Sequence, residues 1–437
     1  MPQLALFVLL NVVLLLRPGD MVPELNRWPI YLALLLLTWV VALPRLLESG
    51  RLHGLLQHPT TWCILGVQLS VWLSHASSGR SYEAREASVE FAKVLLYYFL
   101  LVLVLDTPER VRSFLNWLVA LIGALTFIAI LQFYDVAQLV PQSTLLEQQA
   151  FDPASGEYVL IRRLCSIGLF NDPNDLCLIL VVGMVICVWG LGGVPGGLFR
   201  VIYLGLLGLF GFALVLSQSR GGFLAVLASA GLFSWLRLGW RKTLLAAVVV
   251  LPAVLVLVGG RMAQLSAGED TAQERFNLWS EGLLMFRQSP LFGIGAGQFA
   301  EEMGLVAHNS FVHCFAELGF LGGTCFLGAF ALCIRSLYPL AVGHEDAVDP
   351  ELRRLGLYLL CMVFGYGVGL LSLSRAYVVP TYLVLGLGVV QSQFAFQVGA
   401  APRPAVNGRL LVGLGSLSML FLIGIYLVVR VALVRMS

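Results

Sequence analysis

Residues 244–334 decide how this chain is built. They read LLAAVVVLPAVLVLV (244–258), then GGRMAQLSAGEDTAQERFNLWSEGLLMFRQSPLFGIGAGQFAEEMGLVAHNS (259–310), then FVHCFAELGFLGGTCFLGAFALCI (311–334). Two apolar runs of the kind that cross a bilayer enclose a polar stretch carrying Arg261, Arg275, Arg287, His308 and several carboxylates. Both ends of that stretch are held at one membrane face, and its middle is free to cover a cavity. A loop this long is as a rule functional or disordered. The aromatic residues and the Gly-x-Gly-x-Gly run from Gly293 to Gly297 point to order, because disordered segments lack such apolar content. Chemistry is expected here.

The rest of the chain has the same character. Of its 437 residues 59% are hydrophobic and only 12% charged, with mean hydropathy +0.87, whereas soluble domains carry about 25% charged residues. The composition predicts an all-α, polytopic transmembrane helical bundle, a single integral membrane domain over residues 1–437. Its obligatory partner is the lipid bilayer, and no nucleic-acid partner is expected. Lys93 and Lys242 are the only lysines. The basic charge is therefore nearly all Arg, whose planar fork suits carboxylates and phosphates; a GC-rich genome produces the same excess, and composition leaves the two readings level. The eight cysteines lie almost all in apolar segments with no Cys-x-x-Cys, so neither disulfides nor a thiolate metal site is expected. The run Leu4–Leu16 lacks a basic flank and a small-x-small cleavage pattern, and reads as a retained first span, short for one.

Apolar stretches fall at 4–16, 28–43, 62–74, 89–105, 114–133, 176–191, 199–216, 223–236, 244–258, 311–337, 352–373, 378–396 and 410–429, about twelve or thirteen spans. Several are below the ~20 residues a spanning helix needs, short enough for two to be half-buried or re-entrant. With the N-terminus inside, the short cytoplasmic loops hold Arg45, Arg51, Arg110, Arg112, Arg200, Arg237, Arg241, Lys242, Arg335, Arg353, Arg354, Arg403 and Arg409. The short external ones hold only Arg17, Arg27, Arg80, Arg85, Arg375 and the span-end Arg220. The positive-inside bias then assigns two long segments, 134–175 and 259–308, to the periplasmic side. A thirteen-span count leaves Arg430 and Arg435 outside, against the same rule. Glycines at 205, 208 and 211 and at 365, 367 and 369 have helical spacings that allow spans to approach closely.

Within this frame a few polar residues stand out. Arg220, in Leu-Ser-Gln-Ser-Arg-Gly-Gly, ends one span where the next begins. An always-charged group at membrane depth faces a cavity or partner, or snorkels to headgroups; the adjoining glycine N–H groups favour an anion site. Arg275 and Trp279 are four apart and share a helical face, either as a plain stacked pair or, given their loop, as ligand contacts. His308, followed by Asn309 and Ser310, opens a span whose start Asn309 or Ser310 caps. Its side chain is the type suited to proton transfer near neutrality, although a His at a helix start is more often simply interfacial. His313 and Glu317 lie one turn apart and are expected to pair inside the span. Glu317 faces away from His308 if both are helical and is given a structural role. His308 and His313 are five apart, so the spacing of a two-His metal site is missing, and no metal or cofactor is expected. Asn174 or Asp175 reads as the N-cap of the sixth span, and Arg375, in a tight turn between spans, is a weaker version of Arg220.

Together these residues resemble the O-antigen ligase and polysaccharide polymerase superfamily of bacterial inner-membrane glycosyltransferases. The likeness rests on Gly168-Leu-Phe-Asn-Asp-Pro-Asn-Asp175, Ser219-Arg-Gly-Gly222, Arg275-Phe-Asn-Leu-Trp279, Pro290-Leu-Phe-Gly-Ile-Gly-Ala-Gly-Gln-Phe299, His308-Asn-Ser310 and Ala316-Glu-Leu-Gly-Phe-Leu-Gly322. It covers about residues 160–325. The resemblance implies metal-independent transfer of glycan from an undecaprenyl-pyrophosphate-linked donor to a glycan or lipid-core acceptor hydroxyl at the periplasmic face. It implies that Arg220 and Arg275 hold the pyrophosphate and that His308 acts on the acceptor, with Arg261, Trp279, Asn309 and Arg375 as further substrate contacts. Ligation to a lipid core, polymerisation and transfer to protein hydroxyls share this pattern; the lack of a large C-terminal soluble extension weighs mildly against the last. A lipid-glycan flippase or other transporter also fits many spans. In a transporter, however, charge is expected along the spans, whereas here it gathers at one face.

Overall fold

The computed structural model describes residues 2–46, 56–140, 144–152, 157–193, 196–249, 252, 270–343, 349–399 and 406–436. In chain order its main helices are α1 (Pro2–Leu16), α2 (Ile30–Leu46), α3 (Pro59–Ala76), α4 (Ser81–Val104), α5 (Pro108–Phe133), α6 (Pro173–Gly193), α7 (Leu198–Ser217), α8 (Arg220–Leu238), α9 (Asp270–Gln288), α10 (Gln298–Met303), α11 (Ser310–Val342), α12 (Pro350–Gly369), α13 (Val379–Gln397) and α14 (Gly408–Met436). Among the described residues nine helices are long and apolar enough to cross a membrane: α4 to α8 and α11 to α14, with α1 and α2 as shorter apolar helices. Every apolar stretch named above falls on a helix, that at 244–258 being described at 244–249 and 252. Helices satisfy their own backbone groups, and lipid demands this of any span.

Two segments depart from the sequence reading. Leu145–Asp152 (β1) and Glu157–Leu164 (β2) form an antiparallel hairpin within the first long loop, with Leu145 opposite Leu164 and Asp152 opposite Glu157. Tyr158, Val159 and Ile161 are the β-formers that favour it. The stretch 259–308, expected as a loop, carries the 19-residue helix α9. Its residues Leu278, Gly282 and Met285 are buried at i, i+4 and i+7, the stripe of an amphipathic helix.

The chain divides into two compact units. The first comprises Met1–Pro44, Val104–Gly268 and Ala341–Gly369. Within it α12 meets α8 and α6 closely: a Cβ on Gly365 would overlap Ser229 of α8, and one on Gly369 would overlap Leu178 of α6. Of the three α12 glycines at which close approach was expected, it occurs at Gly365 and Gly369. It was expected also at Gly205, Gly208 and Gly211 on α7, where a Cβ would have nothing within 4 Å among the described residues.

The second unit comprises Arg45–Leu103, Glu269–Leu340 and Leu370–Ser437. Its most enclosed span is α13, 89% of whose apolar window is buried. Helix α9 lies on α14, and Leu278 and Met285 join Phe299, Ala307, Val312 and Ala316 in one apolar cluster. That cluster fixes the polar stretch against the head of α11.

Candidate active site

Helix α11 is interrupted at Gly319, whose φ of 65° and ψ of −164° are not helical. An interruption within a span frees backbone groups that lipid cannot satisfy. The segment before α10 supplies the partners. Ile294 N–H donates to the Ala316 carbonyl at 3.1 Å and Gly295 N–H to that of Glu317 at 3.0 Å, while Phe320 and Leu321 donate to the carbonyls of Pro290 and Leu291 at 2.7 and 3.3 Å. Gly293 and Gly319 make the approach possible, since a Cβ on Gly293 would overlap the Glu317 backbone and one on Gly319 that of Leu291. The motifs Pro-Leu-x-Gly-Ile-Gly and Ala-Glu-Leu-Gly are thus two halves of one backbone splice.

Glu317, fully buried, closes the splice from the side. Its Oε1 accepts from Phe299 N–H at 3.1 Å at the start of α10, and its Oε2 accepts from Tyr377 O–H at 2.9 Å and lies 3.1 Å from His313 Nε2. The His313–Glu317 pair expected from spacing is present, and the carboxylate's partners bear out a structural task. Burial, then the Glu317 charge, pushes the Tyr377 phenol well above its ordinary pKa, so it stays a donor. From the other side His75 Nε2 lies 3.0 Å from the Ala296 carbonyl, Ser74 Oγ accepts from Ala296 N–H at 3.3 Å, and Arg80 donates to Gln298 and to the Ile294 carbonyl.

On this support stands His308. Its φ of 49° is left-handed, a conformation that costs a side-chain-bearing residue roughly 1–2 kcal/mol. Both flanking residues are tied down. Before it, Trp279 Nε1 donates to the Ala307 carbonyl at 2.9 Å; after it, Asn309 Oδ1 caps α11 by accepting from the N–H groups of Phe311 and Val312 at 3.1 and 3.2 Å. Of the two cap candidates Asn309 serves. Ser310 turns to the next loop, where its Oγ donates to the Leu373 carbonyl and accepts from Arg375 N–H at 2.9 Å. Arg375 is held further by its own carbonyl, which accepts from Thr381 Oγ1 at 2.7 Å. His308 is not helical, which replaces the face argument made from spacing: Glu317 is committed to Phe299, Tyr377 and His313.

Arg220 belongs to the first unit, and its setting corrects the sequence reading. It begins α8 rather than ending α7, and Ser219 is the cap, its Oγ accepting from Gly222 N–H at 3.0 Å. Gly222 is buried, with Cys177 in the way of any Cβ, so the glycine pair sits in the first helical turn and the Gly222 N–H is spent on the cap. The Ser219 hydroxyl also donates to Asn174 Oδ1 at 2.6 Å. Asn174 is therefore a tie between α6 and α8. The turn before α6 is capped by Asp172, whose Oδ1 accepts from Asn174 N–H at 2.8 Å, and not by Asn174 or Asp175.

Sequence reasoning notes Arg162 and Arg163 ahead of the sixth span and gives Arg163 no role. Its Nε donates to the Ser217 carbonyl at 3.0 Å. Burial lowers its pKa, Asp172 opposes that, and Arg220 adds to it. A guanidinium does not give up its proton in proteins, so Arg163 stays a half-buried cation with Asp172 and Arg220 in its surroundings. Its alternation in β2, inward where Arg162 is exposed, is a signal visible only once the hairpin is recognised. Of the residues named from sequence, Trp279 bonds the residue before His308, Asn309 follows His308 and caps α11, and Arg375 bonds Ser310, with Arg275 one turn from Trp279 on α9. Arg261 lies outside the described residues. Among the described residues no three His, Cys, Asp or Glu side chains form a group able to hold a metal ion.

Residues 205–327 match the sequence model of a family described as O-antigen ligase. Over that stretch, a little over a quarter of the chain, the protein is similar to the O-antigen ligases. The matched stretch includes Arg220, Arg275, Trp279, His308 and Asn309, and leaves out Arg163 and Arg375. The match supports glycan transfer in O-antigen or polysaccharide biosynthesis, of glycosyltransferase type, and the apolar helices support a multi-pass membrane protein. No curated protein matches the chain.

Proposed function

We propose that this protein transfers glycan from an undecaprenyl-pyrophosphate carrier to an acceptor hydroxyl at the periplasmic face of the cytoplasmic membrane, in O-antigen ligation or surface polysaccharide polymerisation. The acceptor oxygen forms a bond to the anomeric carbon, the bond from that carbon to the diphosphate oxygen breaks, and the diphosphate departs on its lipid. His308 takes the acceptor proton. Arg220 and Arg275 hold the diphosphate, roles that rest on their motif positions, with Arg163 adding charge beside Arg220. Arg261, Trp279, Asn309 and Arg375 complete the substrate contacts. Preorganised positive charge stabilises a diphosphate leaving group, and no metal ion is required.

The observation that carries this reading is the conformation of His308. Backbone strain persists where surroundings over-determine it, and it collects at functional sites. Here the Trp279 bond on one side and the Asn309 cap on the other hold an imidazole in a left-handed position at the head of a span.

The test is a purified assay with lipid-pyrophosphate glycan and acceptor. His308→Ala is expected to lose the 10²- to 10⁴-fold that general-base help contributes while still binding donor. Arg220→Lys and Arg275→Lys are expected to accumulate lipid-linked glycan in cells, because Lys keeps the charge and loses the fork. Excess chelator is expected to leave the wild-type rate unchanged, and a cysteine at the exposed Gln273 to react with an impermeant thiol reagent in intact spheroplasts. Near-wild-type turnover in His308→Ala, or loss of activity to chelator, would overturn the mechanism; labelling only after lysis would overturn the orientation.

A further inference from the structure

A cleft of about 590 Å³ lies between α11 and the start of α14. Its polar end is made by Arg335, Asn407 and Arg409, and its walls by Leu332, Leu414 and Leu417. No carboxylate is among the described residues that line it. Asn407 is already committed, its Oδ1 accepting from Leu410 N–H at 2.9 Å to start α14. The two guanidinium groups are what remains to face a ligand, and both arginines are exposed.

The location narrows the ligand. Both helices are membrane-span candidates, and 25 residues of α11, about 37 Å at ~1.5 Å per residue, separate Arg335 from Ser310, so the cleft lies towards the end of α11 away from His308. From Arg409 to Leu417 the groove follows α14 for about 12 Å, with Gly413 presenting no side chain and nothing within 4 Å of where one would begin. A paired positive mouth over an apolar channel, set at the headgroup level between two spans, has the chemistry of a basic lipid pocket.

We propose that this cleft holds one anionic phospholipid, its phosphate between Arg335 and Arg409 and an acyl chain laid along Gly413, Leu414 and Leu417. The cleft shares no lining residue with those assigned to glycan transfer. The lipid fills the gap between the two helices and ties the start of α14 to α11. Because α14 also carries α9, bound lipid steadies the helix on which Arg275 and Trp279 sit.

Native mass spectrometry of the full chain in detergent, titrated with phosphatidylglycerol, phosphatidylcholine or inorganic phosphate, tests this. The wild type is expected to retain one phosphatidylglycerol in preference to phosphatidylcholine, and inorganic phosphate is expected not to displace it. Arg335→Gln with Arg409→Gln is expected to weaken retention about 30-fold, from ~1 kcal/mol per basic residue, and Arg335→Lys with Arg409→Lys to keep most of it. Gly413→Leu leaves both charges and fills open space, and it is expected to lose the lipid while eluting as a folded protein. Equal retention of phosphatidylcholine, displacement by inorganic phosphate, or undiminished phosphatidylglycerol retention in either the double Gln variant or Gly413→Leu would each overturn the proposal.

Discussion

The indole of Trp279 hydrogen-bonds the carbonyl of Ala307 at 2.9 Å. One contact therefore links the helix that carries Arg275 to the residue preceding His308. Trp279→Phe removes the donor and keeps the ring. We expect it to lower turnover about fivefold, the value of one ordinary hydrogen bond of ~1 kcal/mol, with only a small fall in melting temperature; a wild-type rate in the purified assay would show that the bond does not position His308.

His308 itself separates stability from function. Glycine adopts a positive φ without penalty, so His308→Gly is expected to melt at or above the wild-type temperature while losing turnover by the 10²- to 10⁴-fold assigned to general-base help. His308→Asn, which tolerates the left-handed region, is expected to be equally inactive and equally stable. A variant that lost stability and activity together would mark this residue as a structural pin.

Glu317 is expected to behave in the opposite way. Replacing it by Ala orphans Phe299 N–H, Tyr377 O–H and the His313 ring, each buried unsatisfied group costing about 1–3 kcal/mol. Thermal unfolding in detergent should show a large fall in melting temperature. Glu317→Gln, which keeps one acceptor, is expected to fall less, and a Glu317→Ala protein with wild-type melting would contradict the assignment.

The glycines of the splice can be ranked. Gly293→Ala and Gly319→Ala bring a Cβ into backbone atoms, whereas Gly297, at φ 88°, has nothing within 4 Å of its would-be Cβ. We expect Gly297→Ala to cost only the roughly 1–2 kcal/mol of a left-handed residue, and the other two to prevent accumulation of folded protein. Comparable yields of all three, measured by fluorescence-detection chromatography, would refute the splice.

Much of this was legible before any coordinates. Apolar runs predict the spans because lipid leaves a backbone few alternatives, and Asn309 reads as a cap because its side chain acts two and three residues away. The His313 and Glu317 pair follows from helical spacing alone. What escaped reading depends on partners distant in sequence. Arg163 gains its meaning from a hairpin and from Ser217, 54 residues away. Gly222 looked like turn chemistry because Cys177, which leaves it no room, is on another helix. The amphipathic stripe of α9 is present in the letters, but a polar stretch flanked by spans reads as loop until its partner α14 is known.

The break in α11 bears on how the protein is made. The residues that close its open rungs, Pro290 to Gly295, precede it in the chain and are synthesised first. When α11 enters the bilayer, its missing partners already exist on the same side as its leading end. Neither segment completes these backbone bonds without the other, so α11 reaches its final hydrogen bonding in the membrane only when the earlier segment is docked against it.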